Sequence, residues 1–552
     1  MGRNDEKPSR SISSDPTSDL AAPCPACGAE LSPLPQAPGF CPQCGHHRPL
    51  PGRAWFDLLA DPGSIAEFDP HLRSGDPLGF WTAAGSYAAD LTRVREKSGE
   101  QESVVCAEAG IDGIPLVVVA LSFAHFGGSI GAGAGEKIAR AFERATALRR
   151  PILVVTASGG ARMQEGMIAL LQLPKIVLAA REHAGAGLIS IAVLTSPTTG
   201  GVYVSLSALA DVVLAESGAT IGFAGPRVAE QTTGRPLPTG SHTAEFAAGR
   251  GLVDAVVPRP HVRRVIQRLL AALQPGEAPS TKPVCPPPSA EGDGWSRLER
   301  VRNKRRPTGS DFEGSFVRPF FELRGDRQGG DDRALMAGFG AVAGRPVLLL
   351  AQDRNRGGRQ GRMGPNGYRK ALRALDLGAR LGLPLVSVID TPGADPGSES
   401  EGGGLAGAIG SCLAAVLVYP HPTLAIVAGE GGSGGALCLA ACDRVIAWEN
   451  AVFSVTSPEG AAAILFRDAS RAPEVAGPLR IGAPDLLELG AFDRLVAEPN
   501  GDAATAPDQA IARIAAVAAE ELELLTAEAT EARLTRRRER YRHPRSERLE
   551  EN

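Results

Sequence analysis

The chain has 552 residues, which is enough for two or three domains with large hydrophobic cores. Its formal net charge of -4 gives no global field that would favour nucleic acid or an anionic membrane, and no run of about 20 apolar residues suggests a membrane span. Residues 1–20 lack the apolar segment of a signal peptide, so we expect a disordered start and a cytoplasmic protein.

Four of the nine cysteines lie close together, as two CxxC pairs separated by thirteen residues. Two such pairs supply four thiolates in a tetrahedron, which suits a structural Zn(II); reduced surface thiols are the plainer alternative. The spacing therefore predicts a zinc ribbon over residues 21–50, with the ligands Cys24, Cys27, Cys41 and Cys44. Four sulfurs leave no open coordination position, so we expect no catalysis by the metal. The neighbouring His46 and His47 are then not needed as ligands.

Residues 51–272 alternate apolar segments with segments of helical periodicity. PLVVVAL (115–121) and PILVVTA (151–157) predict buried strands. Between them, residues 136–150 place Ile138, Phe142, Ala145 and Leu148 on one helical face. Strands separated by helices predict an α/β domain over 51–272.

The same plan returns after a segment rich in Pro, Gly and Ser that predicts a linker over 273–294. Gly113 of GIPLVVVA matches Gly344 of GRPVLLLA with an offset of 231, and the pair Gly200-Gly201 matches Gly434-Gly435 with an offset of 234. Five such landmarks keep the same order, with offsets between 231 and 239. We therefore predict a second copy of the α/β domain over 295–505.

Residues 506–552 have a helical and charged sequence that ends in RLTRRRERYRHPRSERLEEN. Its arginines would suit RNA or an acidic partner, but a solvated helix with a frayed end is the more ordinary interpretation. We predict a charged C-terminal helix with a solvated face.

Each of the two glycine pairs stands where an apolar strand is predicted to meet a helix. Glycines at such a turn let backbone N–H groups point into a cleft, and the helix N-terminus adds positive potential there. Neither segment carries the Lys of a phosphate-binding loop, and no GxGxxG with an acidic partner is evident. Two interpretations stay open: a site for a developing oxyanion, or glycines that only allow close packing of helix and strand.

Longer motifs resemble one enzyme family. The ribbon and the segments TASGGARMQEG (156–166), FGGSIGAGAGEKI (126–138), SPTTGGVYVS (196–205) and TIGFAGPRVAEQT (220–232) resemble the beta subunit of bacterial acetyl-CoA carboxylase carboxyltransferase. The second half resembles the alpha subunit, in GYRKALR (367–373), IDTPGADPG (389–397), GEGGSGGAL (429–437) and TSPEGAAAILFRD (456–468). The likeness covers residues 22–500, so the chain looks like a single-chain fusion with the beta-like half first.

The resemblance implies two crotonase-like (ClpP/crotonase) α/β domains in tandem, preceded by the small zinc ribbon. It implies an enzyme that moves CO2 from carboxybiotin to the α-carbon of acetyl-CoA and forms malonyl-CoA. Gly200 and Gly201 match the pair that the family assigns to the thioester enolate. Gly434 and Gly435 match the pair assigned to the ureido oxygen of biotin. The base is then the biotin nitrogen that decarboxylation frees.

The resemblance also suggests contacts to the two substrates. Residues of the SGGAR loop, Ser158, Gly159, Gly160 and Arg162, are candidates for the CoA-side pocket, and packing of that loop is the alternative. The cations Arg369 and Lys370, with Arg354, Arg356, Arg359 and Arg362, are candidates for the CoA phosphates or the biotin carboxylate, and solvated surface charge is the alternative. The segments 398–410 and 352–367 depart from the family pattern, which leaves the acyl preference and the biotin contacts open.

The partners follow from two missing motifs. None of the five methionines adjoins a lysine, as the biotin attachment motif requires, and no ATP-binding glycine loop is recognisable. The resemblance therefore implies a separate biotin carboxyl carrier protein and a separate biotin carboxylase, and we expect a homodimer or larger assembly with composite sites. Three alternatives remain: a carboxyltransferase for a larger acyl-CoA, a biotin-independent decarboxylase of a malonyl thioester, and a nucleic-acid binder built on the ribbon.

Overall fold

The computed structural model describes residues 23–30, 38–277, 285–289 and 291–544. They form two compact α/β units. The first contains the described residues up to Ala248 together with Ala255–Val265, and the second contains Gly249–Asp254 and the described residues from Ile266 onward. The predicted disordered start at 1–20 lies outside the described residues.

The first unit is built on a mixed β-sheet. In chain order its strands are β1 (Ala66–Glu67), β2 (Trp81–Thr82), β3 (Gly85–Ser86), β4 (Val104–Ile111), β5 (Ile114–Leu121), β6 (Ile152–Ser158), β7 (Ser190–Thr199), β8 (Val212–Glu216), β9 (Ile221–Gly222) and β10 (Ala255–Val257). The main sheet has the order β1-β4-β5-β6-β7-β8-β10, with β9 paired to the end of β7. The pairs β1–β4 and β4–β5 are antiparallel and the others parallel, while β2 and β3 form a separate hairpin.

Helices follow most of these strands. They are α1 (Gly52–Leu59), α2 (Tyr87–Ser98), α3 (Ala132–Ala147), α4 (Gly166–Leu170), α5 (Gln172–Gly185), α6 (Gly200–Val202), α7 (Pro226–Thr233), α8 (Ala244–Gly249) and α9 (Arg259–Ala272). The predicted strands agree with β5 and β6 to within one residue, and the predicted helix 136–150 is α3, which begins four residues earlier. As predicted, Ile138, Phe142 and Ala145 of α3 are buried in the core against the sheet, while Leu148 lies just beyond the helix and is exposed.

The second unit repeats the sheet of the first. Its strands are β11 (Phe320–Leu323), β12 (Leu335–Val342), β13 (Arg345–Gln352), β14 (Leu385–Thr391), β15 (Thr423–Gly432), β16 (Arg444–Trp448), β17 (Val452–Ser454) and β18 (Arg494–Val496). They are ordered β11-β12-β13-β14-β15-β16-β18, and β17 pairs with the end of β15. This is the strand order of the first unit, including the short strand beside the central one, so the predicted duplication is confirmed.

The helices of the second unit include two long ones at its C-terminal end. They are α10 (Gly294–Val301), α11 (Pro365–Arg380), α12 (Ser398–Gly402), α13 (Leu405–Leu417), α14 (Ser433–Ala440), α15 (Pro458–Phe466), α16 (Ala472–Ala476), α17 (Ala483–Glu488), α18 (Pro507–Ala527) and α19 (Thr530–Arg542). The described residues of the predicted linker, between the end of α9 and the start of α10, contain no helix or strand. Among the described residues, every helix is too short or too polar to span a bilayer.

A tight hairpin marks the same point in both units. Asp112 and Gly113 join β4 to β5 with φ values of 54° and 75°, and Ala343 and Gly344 join β12 to β13 with 47° and 76°. Two positive φ values in a two-residue loop are the geometry of a type I′ turn, which matches the twist of antiparallel strands. The sequence match of Gly113 with Gly344, at an offset of 231, therefore corresponds to this turn.

The C-terminal segment differs from the solvated helix that its charges predict. It forms two helices, and the apolar face of α18 packs into the core of the second unit, where Ile511, Ile514 and Val517 join Trp448. The two buried arginines of α19, Arg533 and Arg537, face a buried carboxylate of the unit instead of solvent. The rest of α19 keeps an exposed charged face, as at Arg538 and Glu539. The sequence did not predict the buried face, because Asp443, the partner of these arginines, lies more than about 80 residues away in the chain.

Candidate functional site

The first glycine pair lies where β7 ends and a helix begins. Gly200 is the first helical residue and has a left-handed φ of 63°, which glycine adopts without steric cost. Its N–H donates to the carbonyl oxygen of Phe223 at 2.8 Å, which extends the pairing of β7 with β9. Gly201 is the second helical residue, so its N–H has no acceptor within the helix. The pair therefore offers one free backbone donor and not the two that the sequence suggested.

The loop after β6 lies directly against this turn. A Cβ atom added to Gly200 would stand 3.0 Å from the carbonyl oxygen of Gly159 and 3.1 Å from the Cα of Gly160. Gly160 has a φ of 116°, and a Cβ added there would stand 3.3 Å from the nitrogen of Gly201. Ser158, at the buried end of β6, accepts the N–H of Gly160 on its Oγ at 3.0 Å. We call Ser158–Gly160 with Gly200 and Gly201 the first cradle; the structure brings these predicted residues together.

The second unit repeats this arrangement, and strand register fixes the equivalence. Ser158 of β6 pairs with Thr198 of β7, and Thr391 of β14 pairs with Gly431 of β15, each after the same shift in register. The short strands β9 and β17 pair with the last residues of β7 and β15 in the same way. The structural offset between the two turns is thus 233.

This offset corrects the pairing of the glycines by one residue. Gly200 corresponds to Ser433, and Gly201 corresponds to Gly434, since these are the first and second residues of α6 and α14. Ser433 has a φ of 56°, close to the value for Gly200, although it carries a side chain. We call Thr391–Gly393 with Ser433 and Gly434 the second cradle. The sequence comparison did not single out Ser433. It is the hydrogen-bond register of the strands that pairs Ser433 with Gly200.

The two glycines of the second pair have different surroundings. A Cβ atom added to Gly434 would meet no atom of the described residues within 4 Å, so its face is open in this part of the structure. A Cβ added to Gly435 would stand 2.6 Å from the nitrogen of Ala394 and 2.7 Å from the hydroxyl of Tyr368. The carbonyl of Gly435 accepts bonds from Gln352 at 2.9 Å and from Tyr368 at 3.2 Å. Gly435 is therefore a buried packing glycine, and Gly434 offers the accessible N–H.

Replacing Ser433 with glycine is expected to raise the free energy of unfolding by about 1 kcal/mol, because an L-residue pays that cost in a left-handed conformation. Ser433→Ala keeps the Cβ atom and is expected to leave stability unchanged. Thermal or urea unfolding of both variants measures the difference. Equal stability of the two variants would mean that the backbone at this turn is not strained.

The four predicted cysteine ligands form a cluster at the start of the first unit. Their sulfur atoms all lie within 4.8 Å of one another, close enough to share one metal ion. His47 has a different role: it is buried, accepts the N–H of Arg259 at 3.3 Å and lies 3.7 Å from the carboxylate of Glu216. Burial lowers the pKa of His47. The segment that follows the cluster is thus anchored to the unit by His47.

Comparison with known proteins assigns the chain to a family. Residues 291–544 match the family described as acetyl co-enzyme A carboxylase carboxyltransferase-like. The acetyl-coenzyme A carboxylase carboxyl transferase subunits beta/alpha of Salinispora tropica is 42% identical over 520 residues, which cover 91% of this chain and 92% of that protein. The chain belongs to the acetyl-CoA carboxylase carboxyl transferase family.

Other similarities agree with this carboxyltransferase assignment. The probable biotin-dependent acyl-coenzyme A carboxylase beta3 subunit of Mycobacterium bovis is 38% identical, over 88% of this chain and 96% of that protein. The structure of transcarboxylase 12S, with methylmalonyl-coenzyme A bound, superimposes with a TM-score of 0.70 at 22% identity and covers 87% of this chain and 91% of that one. This likeness shows the shared fold. By its relatives, the chain is thus a carboxyltransferase of the biotin-dependent acyl-CoA carboxylase type.

The cations predicted for the carboxyltransferase site have other partners. Lys370 is buried and donates to the carboxylate of Asp331 and the carbonyl of Asp332, both at 2.7 Å. Arg369 donates to Asp326 at 3.1 Å and to the carbonyl of Gly403 at 3.0 Å. Both side chains tie α11 to neighbouring loops of the second unit. The structure does not place them at the second cradle.

Two other arginines lie nearer to the second cradle of the carboxyltransferase. An Nη atom of Arg362 stands 3.5 Å from the position of a Cβ on Gly393. Arg354 pairs with the buried Asp390 at 2.6 and 2.9 Å, and Asp390 also accepts the N–H of Glu430 at 3.2 Å. Burial raises the pKa of Asp390, and the charge of Arg354 opposes that rise. The pair ties the segment after β13 to the end of β14, and Asp390 in turn links β14 to β15 just before the cradle.

Proposed function

We propose that this chain transfers the carboxyl group of carboxybiotin, carried by a separate protein, to acetyl-CoA and so forms malonyl-CoA. The observation that carries the proposal is the pair of equivalent turns, in which Gly201 and Gly434 each present a backbone N–H at the start of a helix. The reaction develops negative charge on two oxygens, one on each substrate, and each cradle supplies a donor for one of them.

Atoms and electrons balance in this transfer. The N–C bond of carboxybiotin breaks, its electron pair stays on the ureido group, and CO2 is released. The ureido nitrogen takes a proton from the α-carbon of acetyl-CoA, and the resulting enolate attacks CO2 to form malonyl-CoA. The N–H of Gly434 donates to the ureido oxygen while it is charged, and the N–H of Gly201 donates to the enolate oxygen. Because biotin supplies the base, neither cradle needs a Ser–His–Asp set.

The experiment that tests this function runs the reaction backwards. Purified protein is incubated with malonyl-CoA and a soluble biotin analogue, and acetyl-CoA is measured. Formation that depends on the analogue is the expected result. Formation without the analogue would indicate a decarboxylase, and turnover of methylmalonyl-CoA in preference to malonyl-CoA would assign a larger acyl substrate.

The cysteine cluster fits a structural zinc ion. Tetrahedral zinc with Zn–S distances of about 2.3 Å requires sulfur atoms about 3.8 Å apart. The Sγ atoms of Cys24 and Cys44 are 3.6 Å apart, and those of Cys27 and Cys41 are 3.7 Å apart. Bound zinc would hold the two chain segments of the ribbon together, and four sulfur ligands would leave it no place for substrate.

Replacing Cys44 with serine is expected to remove bound zinc, from about one ion per chain to almost none, because a structural site needs all four thiolates. Elemental analysis of the purified proteins measures the content. Cys285→Ser, which changes a cysteine outside the cluster, is the matched control and keeps its zinc. Zinc-free wild-type protein would contradict this assignment.

The chain also assembles with copies of itself. Large apolar side chains are exposed in both units, at Met163 and Met167 just after the first cradle and at Ile464 and Leu465 in α15. Exposed apolar patches commonly mark protein interfaces. Transcarboxylase 12S, which shares the fold, forms a hexamer assembly in its crystal structure. Light scattering that gives a monomer with full activity would contradict this part of the proposal.

A further inference from the structure

Arg162 does not face the first cradle, although it stands two residues after Gly160. Its side chain is fully buried. The guanidinium pairs with the carboxylate of Glu102 and lies 3.4 Å from that of Glu165, and it stacks 5.3 Å from the ring centre of Phe126. A cation in such surroundings does not bind the phosphates of a substrate, so its role lies elsewhere.

The guanidinium joins segments that are far apart in the sequence. It donates to the carbonyl of Ser129 at 2.8 Å, to the hydroxyl of Ser103 at 3.1 Å and to the hydroxyl of Tyr87 at 3.2 Å. Its two acidic partners accept backbone N–H groups in turn, Glu102 from Ser74 at 2.9 Å and Glu165 from Ala132 at 2.5 Å. The result is a buried network that joins Arg162, through its own bonds and those of its two acidic partners, to several distant segments of the first unit.

The charges of this network depend on one another. Burial alone would raise the pKa of Glu102, but the adjacent guanidinium of Arg162 holds that pKa at about 2. Removing one partner of a buried pair leaves an uncompensated charge, which is strongly unfavourable. The two groups therefore hold each other in a single arrangement.

Backbone hydrogen bonds connect this network to the first cradle. The N–H of Arg162 donates to the carbonyl of Ile130 at 2.9 Å, and the N–H of Ile130 donates to the carbonyl of Gly160, also at 2.9 Å. The N–H of Gly159 donates to the carbonyl of Gly127 at 2.9 Å. The segment 127–130 that supports the glycine loop is thus the segment to which the guanidinium is bonded through Ser129.

We propose that Arg162 is a positioning residue of the first cradle. Its guanidinium fixes the segment 127–130, and this segment sets the distance between the Gly159–Gly160 loop and the N–H of Gly201. The inference rests on the proposed function, since it assigns to Arg162 the placement of the Gly159–Gly160 loop beside the enolate. A displacement of about 1 Å at a reacting group can lower the rate by about a hundredfold. Replacing Arg162 with the shorter side chain of lysine is therefore expected to have a large effect on kcat.

The test compares Arg162→Lys with the wild-type protein in the reverse reaction. Lysine keeps the charge but cannot reach Glu102, Glu165 and Ser129 at once. We expect kcat to fall by about tenfold to a hundredfold while KM for malonyl-CoA changes less than about twofold, because the cradle acts on the transition state and not on CoA binding.

The matched control is Arg259→Lys. Arg259 is also fully buried in the first unit and pairs with the carboxylate of Glu216 at 2.7 and 2.9 Å, but it contacts no cradle residue among the bonds that the structure describes. Both variants are expected to unfold at lower temperature, and only Arg162→Lys is expected to lose kcat. An equal loss of kcat in both variants, or a wild-type kcat in Arg162→Lys, would overturn the inference.

A milder variant covers the case in which Arg162→Lys does not fold. Tyr87→Phe removes one hydroxyl that bonds both Arg162 and Glu165, at 3.2 and 2.6 Å, and leaves the side-chain shape intact. We expect a smaller fall in kcat with KM again unchanged, and an unchanged kcat would overturn the inference. A wild-type protein without biotin-dependent activity would count against the proposed function and not against the network.

Discussion

Replacing Gly434 with valine is expected to lower kcat for biotin-dependent formation of acetyl-CoA from malonyl-CoA by a factor of about 10² to 10³, the usual cost of losing one oxyanion donor. Gly434 is the second residue of α14, and its N–H is the one that the second cradle offers. A branched side chain in front of this N–H would keep the ureido oxygen away from it.

We expect Gly434→Val to fold, since a Cβ atom on Gly434 would meet nothing within 4 Å in the part of the chain that the structure describes. Gly477→Val is the matched control: Gly477 is an exposed glycine in helical conformation at the end of α16, and its surroundings among the described residues are equally open. Both variants are expected to unfold at the wild-type temperature, and only Gly434→Val is expected to lose activity. Full activity in Gly434→Val would remove the second cradle from the mechanism.

Replacing Arg537 with alanine is expected to lower the free energy of unfolding by about 3–5 kcal/mol, the usual cost of removing one partner of a buried ion pair. Arg537 donates to both oxygens of the fully buried Asp443, at 2.7 and 2.6 Å, and to the carbonyls of Tyr419 and His421. Without it, the 3.6 Å contact with Arg533 is the one ion pair left to Asp443 among the described residues. Urea unfolding, followed in the transition of the second unit, measures the loss.

Arg538→Ala provides the comparison for this prediction. Arg538 is the next residue of α19 and is exposed, so its replacement is expected to change stability by less than about 0.5 kcal/mol. If the two alanine variants were equally stable, α19 would be the solvated helix that its composition suggests, and the buried pair with Asp443 would not contribute to stability.

Local features of the sequence determined the plan of this protein. The spacing of Cys24, Cys27, Cys41 and Cys44 requires no knowledge of the fold, because two CxxC pairs bring four sulfurs together within a short segment. The apolar periodicity of β5, β6 and α3, and the repeated order of landmarks, were sufficient to predict two α/β units of the same design. The same motifs carried the resemblance to the carboxyltransferase family.

Only the tertiary structure decided which atoms stand at the two turns. Sequence matching paired Gly200-Gly201 with Gly434-Gly435, whereas the hydrogen-bond register of the strands pairs them with Ser433-Gly434. No insertion separates the two units here, since β6 and β7 match β14 and β15 with the same offset of 233. The sequence comparison matched glycine with glycine and so shifted the pairing by one residue. The partner of the Gly200 N–H is likewise set by β9, which lies about twenty residues further along the chain.

The roles of the arginines were decided in the same way. In the sequence, Arg162, Arg537 and Arg362 are all cations next to candidate motifs or in a charged tail. In the structure the first two are buried against Glu102 and Asp443, which lie about 60 and 95 residues away, and the third lies by the second cradle. A charge is costly to bury unless a partner is present, and the presence of that partner depends on contacts between distant residues that no local pattern encodes.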